Sequence, residues 1–450
     1  MFEYASIFFL FLSVTFSMFT VAIYRFYKKR LRIFGGWYTY TQPFFVLQLF
    51  LLTYLGIYIA FFMKSLFPRL SYISYESIAV FMLAISYSVF IILLAFIFYF
   101  ELTKGKVTSF RQKYTIRELF LCSAKTLSVN QLFFILFIIF CYVFYKYYFF
   151  YSISPFFYLI SGEPIMAAQS RYLIQTGALS VDVKYLSKVV EILGFYSVIY
   201  TFILYKIFGR KIYIYLFLGF ISLVCFNLVF DAQKAPLIII VSCLFFVSIA
   251  IENKLKYFLY FSLLISFLLI LISYLSSDTD GFNFNIIISI VDRVLIGQNQ
   301  GMYYIYDYLN VNYYDIFSWL ANDGFEPADR LVVKFMDFYR GNPNIVNVNT
   351  YFIGEAWYSM GWVGLVISPF IVSFVFLLFL LIFDYLLCRN YLLYFPLAIY
   401  TASIIPISRS FYQIISFKFM FYVVIFGVIP IAIISMLKVR GKVFSITSDK

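Results

Sequence analysis

SIAVFMLAISYSVFIILLAFIFYF, residues 77–100, contains no charged side chain. Wound as a helix at about 1.5 Å per residue, a run of this length crosses a bilayer hydrocarbon core about 30 Å thick. Comparable runs recur at roughly residues 4–26, 42–63, 131–150, 190–208, 212–230, 236–251, 257–275, 361–385, 391–407 and 412–437, so about eleven spans are expected. No long polar stretch between them is suited to a soluble domain. The expected fold is an all-α polytopic membrane protein, one integral membrane domain over residues 1–450.

Composition points the same way. Hydrophobic residues make up 64% of the chain, aromatic ones 24% and charged ones 12%, with a mean hydropathy of +0.93. Soluble domains carry about a quarter charged residues, so that class is excluded. The first run, Tyr4 to Phe26, is too long for a signal-peptide core and ends in a basic cluster without a small-residue cleavage site; it is expected to stay attached as the first span.

The residue inventory narrows the chemistry. Histidine is absent, which removes the usual general base near neutral pH and the commonest metal ligand. Proton transfer then falls to carboxylates, tyrosines or the substrate. The five cysteines, Cys122, Cys141, Cys225, Cys243 and Cys388, fall in expected spans or inner loops and show no CxxC zinc spacing. No metal site and no cofactor is expected.

The net charge of +13 is distributed unevenly. Arg25, Lys28, Lys29, Arg30 and Arg32 follow the first span, and Lys104, Lys106, Arg111, Lys113, Arg117 and Lys125 follow the third. On the same side lie Lys206, Arg210, Lys211, Lys254, Lys256, Arg389, Lys438, Arg440, Lys442 and Lys450, against only Glu101, Glu118, Glu252, Asp384 and Asp449. The positive-inside rule makes that side cytoplasmic. With an odd number of spans the N-terminus then faces outward and the C-terminus inward. Clusters that abut spans contact anionic lipid headgroups, and no basic nucleic-acid-binding module is visible.

Two outward loops, about 152–189 and 276–360, are too long to be simple connections. Both carry helical pattern. Ile286 to Tyr308 reads as one helix at the interface or packed on the bundle. Asn322–Arg330 (NDGFEPADR) and Arg340–Thr350 (RGNPNIVNVNT) read as irregular turns. No internal repeat is evident.

Isolated cations stand in these loops. Arg171 opens RYLIQTG, Arg293 sits in VDRVLIGQNQG, Arg330, Lys334 and Arg340 follow, and Arg409 lies in PISRSFY. A guanidinium fork binds phosphate oxygens bidentately, so arginines gathered on one outer cavity suit a diphosphate. Each has a plainer reading as surface charge, and Arg171 as a residue that snorkels or pairs with Glu163 or Asp182. Lys184 and Lys188 read as a solvated or lipid-facing stripe, and Lys234 as a local partner of Asp231. Lys418, within the last span, needs a polar cavity or a carboxylate. Glu355, in FIGEAWYSMGWVG, lies where the second loop re-enters the membrane; burial there suits acid/base work, whereas a salt bridge or a helix cap is the structural reading. Gly361 and Gly364 suit close helix packing.

At RYLIQTG, DRVLIGQNQGMYYIYDYL and YFIGEAWYSMGWVGLVISPF the chain resembles the Wzy-type O-antigen polymerases, the oligosaccharide repeat-unit polymerases of Gram-negative bacteria. Length, about eleven spans and two enlarged periplasmic loops extend the likeness. The resemblance implies a GT-C-like glycosyltransferase in the bacterial inner membrane, with a periplasmic N-terminus and a cytoplasmic C-terminus. Its substrates would be an undecaprenyl-diphosphate-linked glycan donor and acceptor, its surroundings membrane lipids, and a chain-length regulator a further partner. Arg171 and Arg293 match the family's loop arginines and Arg409 does so more weakly; with Arg330 and Arg340 they would bind the diphosphate. Arg171 and Arg293 would also stabilise the leaving group, and Glu355 is the candidate base. The related O-antigen ligases use a periplasmic histidine that this chain lacks. The rival class is a flippase for lipid-linked repeat units, which would be expected to show paired repeats and polar or broken helices at the midplane.

Overall fold

A computed structural model describes residues 2–31, 53–67, 70–103, 116–121, 126–176, 179, 181, 183–231, 235–252, 291–297, 299–313, 328, 331–334, 349–404, 411–415 and 418–436. Among the described residues there are helices and no strand. In chain order the helices are α1 (Phe2–Leu31), α2 (Leu55–Phe62), α3 (Tyr75–Thr103), α4 (Ile116–Leu121), α5 (Val129–Phe150), α6 (Pro155–Ile160), α7 (Pro164–Thr176), α8 (Lys184–Phe208), α9 (Lys211–Phe230) and α10 (Ala235–Glu252). A π-helical turn, Asp292–Ile296, precedes α11 (Gln300–Tyr308), α12 (Tyr351–Arg389), α13 (Tyr391–Ile404), α14 (Phe411–Ile415), α15 (Lys418–Val423) and α16 (Ile429–Met436).

Seven helical stretches among the described residues are long and apolar enough to cross a membrane: Ala5–Phe26, Tyr75–Tyr99, Val129–Ile153, Tyr185–Phe208, Lys211–Phe230, Tyr351–Arg389 and Phe419–Met436. The chain is an all-α membrane protein. Pro236–Ser248 and Tyr391–Ile404 are shorter apolar helices on two more of the expected runs. The expected run 257–275 and residues 42–52 of another lie outside the described residues.

Helix boundaries differ from the hydropathy reading where polar residues continue a helix past its apolar part. α8 begins at Lys184, upstream of the apolar core of its span, whereas Tyr351–Arg389 is interrupted at Gly361, where its span was expected to begin. The single helix expected over Ile286–Tyr308 is two: the π turn ends at Gly297, and Asn299 starts α11. The Asn299 side chain explains the break. Its amide donates to the Leu295 carbonyl at 3.0 Å and to the Thr53 carbonyl at 3.2 Å, competing with the backbone for helix continuation.

The chain divides into two compact units. The first comprises Met1–Lys113, Glu252–Asp384 and Ala402–Met420; the second comprises Tyr114–Ile251, Tyr385–Thr401 and Phe421–Lys450.

In the first unit α1 packs along α3. Water-exclusion gains nothing between helices already in lipid, so hydroxyls and shape hold them. Ser13 Oγ lies 2.7 Å from Ser86 Oγ and 2.7 Å from the Tyr58 hydroxyl of α2, and Phe16 meets Tyr87 edge-on and Phe90 at a tilt. Gly56 lets the π turn approach α2, because a Cβ there would collide with the Leu295 carbonyl and the Asn299 amide.

In the second unit α5 starts with a capping box, Ser128 accepting from the Gln131 amide and the Gln131 side chain from the Ser128 amide. α8 packs on α5 and α9, and α6 and α7 form a helical pair joined at Gly162. Tyr196 and Tyr200 stack inside, where the Tyr200 hydroxyl accepts the Leu127 amide at 2.8 Å.

Candidate functional site

Arg171 lies on α7, a 13-residue helix in the segment that links two membrane helices of the second unit. The chain leaves α5 through a 3-10 turn, Tyr151–Ile153, into α6, and doubles through Ser161–Gly162 into α7. Two serines fasten this segment. The Ser154 hydroxyl donates to the Phe230 carbonyl at the end of α9, at 2.8 Å and fully buried. The Ser170 hydroxyl donates to the Ile153 carbonyl. Arg171 follows Ser170 directly and is partly buried.

Beneath these serines lies an ion pair that hydropathy did not reveal. Lys146 Nζ donates to both carboxylate oxygens of Asp231, at 2.9 and 2.8 Å, and sits 4.9 Å from the centre of the Phe230 ring. Lys146 is 1% exposed. The neighbouring Tyr147 hydroxyl donates to the Phe226 carbonyl, so consecutive residues of α5 grip the last turns of α9. Lys234, the expected partner of Asp231, lies outside the described residues; among those described, Asp231 pairs with Lys146. One lysine in an aromatic run leaves the run apolar on average. The available signal was the pairing of a lone cation in one span with a lone acid at the end of another.

Glu355 is on α12 in the first unit and is 1% exposed. Its Oε2 accepts the backbone amide of Tyr412, at the start of α14, at 2.8 Å. A buried carboxylate without hydrogen-bond partners would cost several kcal/mol, and this contact satisfies one of its two oxygens. It also binds α14 to α12. The segment just before α14 contains Arg409, which lies outside the described residues.

The helical stretch that holds Glu355 ends at Gly361, whose φ of 57° and ψ of −139° interrupt α12. Only glycine adopts this backbone without strain. Gly361 is therefore a break in the helix, whereas the sequence suggested a packing glycine. Across the break Trp357 and Trp362 meet edge to face at 5.1 Å, and the Tyr358 carbonyl accepts the Asn312 amide at 2.8 Å.

Arg293 sits in the π turn held against α2; its side chain lies outside what is described. The following helix, α11, is clamped on the start of α3. Asp307 accepts the Ser74 amide and the Ser74 hydroxyl, both at 2.7 Å, and the Ser77 hydroxyl at 3.2 Å. Tyr306 donates to Glu76 at 3.0 Å. Burial, and then the hydrogen bond to Glu76, push the Tyr306 hydroxyl well above its ordinary pKa. Lys64 sits 4.5 Å from the centre of the Tyr75 ring; burial lowers its pKa and Asp307 partly restores it.

Arg330, Arg340 and Arg409 lie outside the described residues. Lys334 is exposed, and Lys188 pairs with Glu191 at 2.7 Å on the surface of α8. The side chains of Lys184 and Lys418 are outside the description. Asp384 proves to be 2% exposed and accepts the Tyr99 hydroxyl inside the first unit. Among the described residues no group of His, Cys, Asp and Glu is placed to hold a metal ion. Compared with protein-family models, curated proteins and solved structures, the chain matches none.

Proposed function

We propose that this protein is a membrane glycosyltransferase that polymerises undecaprenyl-diphosphate-linked oligosaccharide repeat units at the periplasmic face of a bacterial inner membrane, in the manner of the O-antigen polymerases. The observation that carries the reading is Arg171: a guanidinium on a short helix between two membrane helices, fixed at the preceding residue by the Ser170–Ile153 bond. A cation held at a membrane boundary suits a carrier lipid, whose acyl chain stays in the bilayer while its diphosphate stands at the surface.

In the proposed reaction the bond between the anomeric carbon of the growing glycan and its diphosphate oxygen breaks, the electron pair leaving with the diphosphate. The acceptor hydroxyl oxygen of a new lipid-linked unit bonds to that carbon, and its proton passes to a base. Arg171 and Arg293, with Arg330, Arg340 and Arg409, are assigned to the diphosphate, where fixed positive charge meets developing negative charge. Glu355 is assigned as the base. In this scheme the arginines carry the charge stabilisation that a divalent ion supplies elsewhere.

A second reading, a flippase for the same lipid-linked units, draws on the buried Lys146–Asp231 pair, since ionisable residues of membrane helices mark transport pathways in other proteins. Deleting the gene in its host separates the two. Loss of a polymerase leaves surface lipid capped by a single repeat unit on a gel; loss of a flippase leaves none.

A further inference from the structure

Lys146 and Asp231 are buried deep in the second unit, and the proposed chemistry does not use them. Replacing such a pair by apolar residues is often neutral or stabilising, so its presence asks for a purpose beyond stability. The bonding around it supplies one. Asp231 directly follows Phe230, whose carbonyl receives the Ser154 hydroxyl at 2.8 Å. Ser154 directly follows Ile153, whose carbonyl receives the Ser170 hydroxyl. Ser170 directly precedes Arg171. From the ion pair to the arginine, every step is a peptide bond or a buried or half-buried hydrogen bond.

We infer that Lys146 and Asp231 are positioning residues for Arg171: by pinning the end of α9 to α5 they fix the carbonyl that anchors Ser154, and so the register of α7. The pair has the properties such a device needs. Both carboxylate oxygens are engaged by one ammonium, which fixes direction as well as distance. The Tyr147–Phe226 bond at the adjacent residue resists rotation of α5 about its axis. Apolar contacts alone would hold α6 and α7 to the bundle without fixing the rotation of α7 that sets where Arg171 lies. The functional consequence for the anionic head of a carrier lipid rests on the reading of Arg171 given above; the mechanical claim does not.

The test uses the full-length protein in lipid nanodiscs. Amide hydrogen exchange is followed in α7 (Pro164–Thr176) and, as an internal reference, in α8 (Lys184–Phe208). Lys146→Met and Asp231→Asn are expected to speed exchange in α7 by about tenfold or more beyond any change in α8. Lys146→Arg, and the double exchange Lys146→Asp with Asp231→Lys, are expected to return α7 to wild-type protection. Ser154→Ala keeps the ion pair and removes only the relay, so it tests the claim even where the charge variants fail to fold; it too must loosen α7 selectively. If α7 loosens no more than α8 in Ser154→Ala, or the double exchange fails to restore protection in folded protein, the inference is overturned. In a polymerisation assay with an undecaprenyl-diphosphate-linked repeat unit, Ser154→Ala should raise KM about tenfold with a smaller change in kcat, an effect that a general loss of folded protein would not give. Selective, rescuable loosening of α7 together with full activity of Arg171→Ala would uphold the positioning and reject the functional reading. Inactivity of Arg171→Ala with α7 undisturbed in Ser154→Ala would do the reverse.

Discussion

α7 and α11 are both short helices outside the long apolar runs, and they are held by opposite means. α11 is fastened to the start of α3 by two partly exposed carboxylates, Asp307 and Glu76, meeting serine and tyrosine hydroxyls. α7 is fastened through neutral serine–carbonyl bonds that lead down to a buried Lys–Asp pair. Where water reaches a clamp, each charge can be resolvated when its partner leaves, so the clamp is worth little and yields easily. Where a clamp rests on a buried pair, removing one member strands the other, and the whole arrangement stands or falls together.

The largest effect should therefore come from the buried side. Lys146→Met is expected to cost about 3–5 kcal/mol of stability, read as a lowered unfolding midpoint in detergent; a loss under about 1 kcal/mol would place the pair with the exposed clamps. Next comes Glu355→Gln, which keeps an acceptor for the Tyr412 amide but cannot take a proton. Polymerisation is expected to fall about a hundredfold with the protein still folded. Retained activity would reassign Glu355 to anchoring α14.

Smaller effects belong to the α11 side. Gly56→Val drives a branched side chain into the Leu295 carbonyl and Asn299 amide, and is expected to destabilise by about 1–3 kcal/mol. Asp307→Ala is expected to cost about 1 kcal/mol and to speed hydrogen exchange in Gln300–Tyr308. A loss as large as that of Lys146→Met would erase the contrast between the two regions. Lys188→Ala, which breaks an exposed pair one turn into α8, should change stability by less than about 0.5 kcal/mol.

The parts of this architecture visible in the sequence are those that physics writes locally. An apolar run of about 20 residues must be a span, because lipid offers no partner for an exposed backbone, and residues 77–100 announce this without help from the rest of the chain. Glu355 stood out because an acid beside an aromatic run at a membrane border is costly wherever it points. The helix break at Gly297–Asn299 was hidden, since the apolar period of 286–308 continues through it and the breaking contact, with Thr53, comes from a distant residue. Lys146 and Asp231 were hidden for the same reason: 85 positions separate them, and each alone reads as a lone charge at the edge of an apolar run. Serine hydroxyls bonded to carbonyls leave no pattern at all, so the fastening of Arg171 emerged only with the fold.

The central claim is that Arg171 serves the diphosphate of a carrier lipid. The direct measurement is chain growth by the purified protein in nanodiscs supplied with an undecaprenyl-diphosphate-linked repeat unit, comparing wild type, Arg171→Lys and Arg171→Ala. Lengthening products are expected from wild type, slower growth from the lysine variant, which keeps the charge but loses the bidentate fork, and none from the alanine variant. Chain growth by Arg171→Ala at the wild-type rate would contradict the claim.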